Sequence, residues 1–198
     1  MQHIFKPGKK GMPVFVTLHG TGGDESNLLP VAEALNPEFG VLGVRGTVNE
    51  NGMLRFFKRK AEGLYDEEDL AIRGKELLKF IQQAGHDYEF DMSDVILVGF
   101  SNGANIGINL MLQPESEFKR AILMAPMYPV ELSAGPDLSE ARVFLSMGEQ
   151  DPIVPVEASK QVIDIFQSRG AVVSGVWVKG HELNAQVLMG AKQWLTEA

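Results

Sequence analysis

At 198 residues, with 44% hydrophobic and 22% charged side chains, the chain is long enough to bury a sizeable core without staples and too apolar to be disordered or fibrous. Its 18 Lys+Arg stand against 26 Asp+Glu, a formal charge of −8 that, with no basic stripe, disfavours nucleic acid as a partner. The absence of cysteine removes a disulfide framework, a thiolate nucleophile and any Cys-based metal site.

Residues 1–10 carry no apolar signal core, and no later segment approaches the ~18 apolar residues of a membrane span, so a cytoplasmic protein is expected. Residues 14–18 form a short β-rich run that breaks into the glycine-rich loop His19-Gly20-Thr21-Gly22-Gly23-Asp24-Glu25. A helix follows, with Leu28, Val31, Ala32 and Leu35 on one face and Asn36-Pro37 as its stop, and then a strand over 39–44. Residues 45–63 show no clear period and read as a long loop beside the site, with Phe56 and Phe57 either lining an acyl groove or packing beneath it. A helix over 66–84 has acidic residues in its first turn, an apolar stripe through Leu70, Leu77, Leu78 and Ile81, and Gly85 as a left-handed cap.

Residues 95–98 are a buried strand, and 104–112 a helix. Strands at 121–124 and 143–146 flank a connection containing Pro126, Pro129 and Pro136, too short for a cap domain. A helix over 156–169, a strand over 172–178 and a last helix with Val187, Ala191, Trp194 and Leu195 inward complete the chain. This alternation predicts one α/β domain over 1–198, a mostly parallel central sheet with helices on both faces. Loops at the carboxyl ends of such strands form the ligand crevice, so Thr21, Ser101, Asp151 and His181, each just after a predicted strand, should converge.

Between strand and helix, Gly99-Phe100-Ser101-Asn102-Gly103 fits G-x-S-x-G, the nucleophile elbow of an α/β-hydrolase. At that strained turn side chains on residues 99 and 103 would collide with neighbouring backbone, and Ser101 Oγ is pushed into solvent. A serine hydroxyl needs a base and a group to orient that base. Of the four histidines, His3 lies in a terminus expected to fray, His86 follows a helix end, and His19 is placed to shape the glycine loop. His181 follows the last strand and fits the order Ser, acid, His, which makes it the base. The acid is Asp151, whose short side chain at a post-strand turn suits the orienting role better than its competitor Glu149. For the oxyanion, the Asn102 N–H at the helix start is one donor and Thr21 the candidate for the second. The His19–Glu25 loop has neither the Gly-Lys-Ser/Thr ending of a P-loop nor the G-x-G-x-x-G of dinucleotide folds.

The segments Leu18-His19-Gly20-Thr21-Gly22-Gly23-Asp24-Glu25, Gly99-Phe100-Ser101-Asn102-Gly103-Ala104-Asn105, Gly148-Glu149-Gln150-Asp151-Pro152 and Gly180-His181-Glu182 together resemble the phospholipase/carboxylesterase family of small α/β-hydrolases, most nearly bacterial carboxylesterases of quinone-resistance operons. The resemblance implies a Ser101-His181-Asp151 triad, oxyanion N–H groups from Thr21 and Asn102, a small-molecule ester as substrate, and no cofactor or metal. Family members often carry Gln after the nucleophile; Asn102 departs from that. A carboxylesterase is therefore expected, with lysophospholipase or acyl thioesterase as the alternative and a catalytically silent binding protein as the rival of another class. A dienelactone-hydrolase-like activity is disfavoured because that chemistry is associated with a cysteine nucleophile. A homodimer stays open.

Overall fold

A computed structural model describes residues 1–132 and 135–197. In chain order the elements are β1 (His3–Lys6), β2 (Val14–Leu18), α1 (Leu29–Leu35), β3 (Gly40–Val44), β4 (Val48–Glu50), β5 (Met53–Arg55), β6 (Arg59–Ala61), β7 (Leu64–Tyr65), α2 (Glu67–Tyr88), β8 (Val95–Phe100), α3 (Asn102–Met111), β9 (Arg120–Met124), β10 (Arg142–Gly148), α4 (Val156–Gln167), β11 (Val172–Val178) and α5 (Ala185–Glu197). Seven strands form the central sheet in the order β1-β3-β2-β8-β9-β10-β11, all pairs parallel except β1–β3.

Period-two alternation of apolar residues splits the core across the sheet. Val16, Leu97, Leu123 and Leu145 face α2, α3 and α4, whereas Phe15, Ile96, Ile122 and Phe144 face α1 and α5. Because both faces are covered, the central strands are continuous buried runs, such as all of Val14–Leu18. Among the described residues, neither helix nor strand lies between β9 and β10, so no cap covers the sheet edge. Register places the strand ends level: Leu18 pairs with Gly99, Phe100 with Met124, and Gly148 with Val178. The segments that follow β2, β8, β10 and β11 are thus delivered to one edge.

Three segments differ from the sequence reading. The terminus expected to fray is the antiparallel edge strand β1, and His3 Nε2 lies 2.7 Å from the Tyr88 hydroxyl. The expected long loop 45–63 holds two short hairpins, β4–β5 and β6–β7. Helix α2 runs past Gly85 to Tyr88, and Glu89 takes the left-handed cap at φ 58°. Gly85 is a packing glycine instead, since a Cβ there would lie 3.1 Å from the Phe90 carbonyl oxygen.

The tightest approach lies at the β8–α3 junction. A Cβ on Gly103 would stand 1.9 Å from the Leu18 carbonyl oxygen, and one on Gly99 would stand 2.7 Å from the Ala104 backbone. Backbone on both sides cannot swing away as a side chain would. Urea unfolding of Gly103→Ala should therefore show a loss of about 2 kcal/mol or more, at the upper part of overpacking costs. Gly180→Ala, whose Cβ meets nothing within 4 Å, should be close to neutral. Equal stabilities for these two variants would contradict the packing argument.

Candidate active site

The β8–α3 turn sets the conformation of Ser101, which adopts φ 51° and ψ −117°, a region L-residues rarely occupy. Its N–H donates to the Met124 carbonyl at 2.8 Å and its carbonyl accepts from the Asn105 N–H at 2.9 Å, so the strained residue is tied to β9 and to α3. Two further backbone bonds, Glu149 N–H to Val178 O at 2.8 Å and Gln150 N–H to Lys179 O at 2.7 Å, hold the turn after β10 against the end of β11. That contact sets Asp151 beneath His181.

The three side chains form one row. His181 Nδ1 lies 2.7 Å from Asp151 Oδ2, and His181 Nε2 lies 2.9 Å from Ser101 Oγ. The other carboxylate oxygen, Oδ1, accepts from the Ile153 and Val154 N–H groups at 2.7 and 2.9 Å. The Asp151 side chain is fully buried and that of His181 is 13% exposed, with the Phe100 ring centroid 5.2 Å from the imidazole. A carboxylate only accepts, so the Nδ1 hydrogen points at Asp151 and Nε2 is free to accept from the serine hydroxyl. Glu149, the competing acid, is exposed and outside this row.

The row opens on a cleft of about 290 Å³ whose lining includes Thr21, Ser101, Asn102 and His181, with Phe100, Met127 and Ile153 as apolar wall. Asn102 is the first residue of α3, so its N–H has no intrahelical acceptor. The Thr21 N–H also donates to no group among the described residues. Two uncommitted backbone donors therefore flank the serine. Among the described residues, no cluster of three or more His, Cys, Asp or Glu could hold a metal ion, and no helix is long and apolar enough to cross a membrane.

His19 holds the loop that carries Thr21. Its Nδ1 bonds the Gly20 carbonyl at 2.7 Å while Nε2 accepts from the Gly46 N–H at 2.9 Å, which requires the neutral ring. Phe56 and Phe57 are buried, at 3% and 0% exposure, against His19 and Tyr65, so they pack beneath the site rather than line it. Sequence reasoning missed Arg55. Although charged, it is only 5% exposed and lines the cleft; its Nη1 donates to Thr21 Oγ1 at 2.7 Å. The visible signal was a charge between apolar neighbours, Leu54 and Phe56, in a segment with no period.

The phospholipase/carboxylesterase family model matches residues 49–198, which include the elbow, the acid turn and the last histidine. The chain belongs to that family. Over its full length, this family member is 41% identical to MhqD of Bacillus subtilis (strain 168), of which it covers 99%. The crystal structure of the Bacillus cereus carboxylesterase superposes with a TM-score of 0.97 at 42% identity, covering 100% of this chain and 94% of that one. YahD, solved with malic acid, superposes with a TM-score of 0.95 at 30% identity over 99% and 98%. Both likenesses and the observed topology make this an uncapped α/β-hydrolase fold.

Burial holds the His19 imidazole below its ordinary 6.5, outweighing the Gly20 carbonyl and the Asp24 and Glu25 carboxylates, which act to raise it. The unfolded chain thus takes up this proton at a higher pH than the folded one. The stability contributed by neutral His19 is complete above pH 6.5 and lost as the pH falls below it. Thermal melts should show Tm dropping between pH 7.5 and 5.5. His19→Asn should have a lower Tm at pH 7.5 and a smaller drop; an equal drop would show that His19 does not titrate this way.

Proposed function

We propose that this family member is a carboxylesterase-type serine hydrolase acting through an acyl-enzyme on esters of short to medium acyl chain. The observation that carries the reading is the unbroken row from buried Asp151 through His181 to Ser101, at 2.7 and 2.9 Å, opening between two uncommitted backbone N–H groups.

Ser101 Oγ attacks the ester carbonyl carbon as His181 Nε2 takes its proton. The carbonyl oxygen becomes an oxyanion that accepts from the Thr21 and Asn102 N–H groups, aided by the positive end of α3. Collapse breaks the bond to the alcohol oxygen, which leaves with the proton from His181. Water then attacks the acylated Ser101, again giving its proton to Nε2; the carboxylic acid departs and the proton returns to Ser101. Asp151 keeps the imidazole in the tautomer that accepts at Nε2 and stabilises the imidazolium between steps. The route needs no cofactor.

Ser101→Ala and His181→Ala should each lower kcat by about 10⁴ or more, because the row acts as a unit. Asp151→Asn should be crippling, since its amide stabilises the wrong tautomer, whereas Glu149→Gln should be mild. Steady-state assays giving the reverse ranking would move the orienting role to Glu149.

A cleft of about 290 Å³ lies at the small end of ligand sites, and without a cap each further methylene stays partly in water, short of the ~0.8 kcal/mol that full burial provides. Across a series of esters of one alcohol, kcat/KM should peak at short to medium acyl length and then fall. A steady climb to palmitoyl would contradict this and favour a lysophospholipase or acyl thioesterase.

A further inference from the structure

Arg55 is a buried cation in the cleft, and none of the steps above uses its charge. Taking a guanidinium out of water costs several kcal/mol unless it is paired and hydrogen-bonded. Of its five N–H bonds, the one on Nε reaches the Phe57 carbonyl at 3.3 Å and one on Nη1 reaches Thr21 Oγ1 at 2.7 Å. The remaining three have no protein acceptor among the described residues.

Among the described residues the nearest carboxylate is Glu50, 3.9 Å from Arg55 Nη1 and so beyond hydrogen-bond reach. Both Glu50 oxygens accept from Arg59 Nε at 3.1 Å, which leaves one carboxylate between two guanidinium groups. Arg59 and Glu62 also line the cleft, but both are exposed and their opposite charges offset each other. Of these four groups Arg55 alone is buried, and Glu50 is hydrogen-bonded to Arg59 instead, so the wall beside Thr21 holds one buried cation without a hydrogen-bonded counter-charge, inside a protein whose formal charge is −8. Such a field is local: the surface as a whole repels anions, while this wall attracts one. On the same cleft, Asn102 Oδ1 accepts from the Phe56 N–H at 2.7 Å, and its buried Nδ2 has no hydrogen-bond partner among the described residues.

We propose that Arg55 selects esters that carry a second, free carboxylate, on either the acyl or the alcohol part, within reach of the wall beside Thr21. The planar fork of a guanidinium matches a planar carboxylate through two parallel bonds, and a single buried guanidinium matches a monoanion rather than a phosphate dianion. Reading a charged group with a buried donor gives strong discrimination, because a neutral analogue leaves the donor unpaired. The inference rests on the esterase reading, which it refines by substrate class.

Two matched pairs test it: monomethyl glutarate against methyl pentanoate for the acyl side, and 3-acetoxybenzoate against phenyl acetate for the alcohol side. Wild-type kcat/KM should favour the carboxylate member at least tenfold in one pair. Arg55→Met should erase that preference mainly through KM, and Arg55→Lys should keep part of it. Equal or greater kcat/KM for the neutral member in both pairs would overturn the proposal. An Arg55→Met variant that slows both members of a pair by one factor would do so too, since Arg55 would then merely steady Thr21. Calorimetric titration of Ser101→Ala with the same compounds provides a readout independent of turnover and of how well the Arg55 variants fold. The carboxylate member should bind at least tenfold tighter in one pair; equal binding in both would again overturn the proposal. Failure of the esterase reading looks different: wild type would then turn over none of the four compounds, while the titration would still decide the role of Arg55.

Discussion

The structure depends on one close approach, that of the α3 N-terminus to the end of β2. With residue 103 lacking a Cβ, the Leu18 carbonyl sits where that atom would be, and α3 begins directly above the sheet edge. This forces Ser101 to φ 51°, a strain of about 1–3 kcal/mol that the surroundings must over-determine. They do so through the bond to Met124 and the full burial of Val95, Ile96, Leu97 and Val98 on one side and Ile106 and Ile108 on the other. Burial of even two such side chains, at roughly 1.5–3 kcal/mol each, at least matches the strain. The consequence is a hydroxyl held clear of the sheet, next to a helix start whose first N–H is uncommitted.

A second constraint sets the far wall. Residues 54–56 bind both loops that flank Ser101: the Leu54 carbonyl accepts from Gly22 N–H at 2.8 Å, Arg55 donates to Thr21, and Phe56 N–H donates to Asn102 Oδ1. Asp69, only 8% exposed near the start of α2, accepts from the Lys58 N–H at 2.8 Å and anchors the segment from the other side. The two segments carrying the backbone donors beside Ser101 are thus braced by residues 54–56 as well as by the sheet. Asn102 takes part through its side chain as well as its backbone, which gives a physical role to the position where the family often has Gln.

The sheet and the Ser101-His181-Asp151 row were legible because each signal is local. A fully buried parallel strand is a continuous apolar run, as at 95–98, which Ser101 follows at the end of β8, while Thr21, Asp151 and His181 each lie three residues past β2, β10 and the partly buried edge strand β11. Parallel register then carries all four to one edge without further information. The hairpins at 48–65 were not legible, since strands of two or three residues have no measurable period, and what makes them ordered lies elsewhere in the chain: Thr21, Asn102 and Asp69. The buried state of Arg55 was hidden for the same reason. Strand β1 is an edge of four residues set by β3, and Gly85 has the residue type of a cap but is needed where Phe90 packs.

The central claim is that Ser101, made nucleophilic by His181 and Asp151, becomes acylated during turnover. Acid quenching of the protein in the presence of excess aryl butyrate, followed by intact-mass measurement and peptide mapping, tests it directly. One butyryl group per chain, located on the peptide containing Ser101 and absent from Ser101→Ala, is the result expected here. Turnover with no adduct, or an adduct on another residue that persists in Ser101→Ala, would contradict the account.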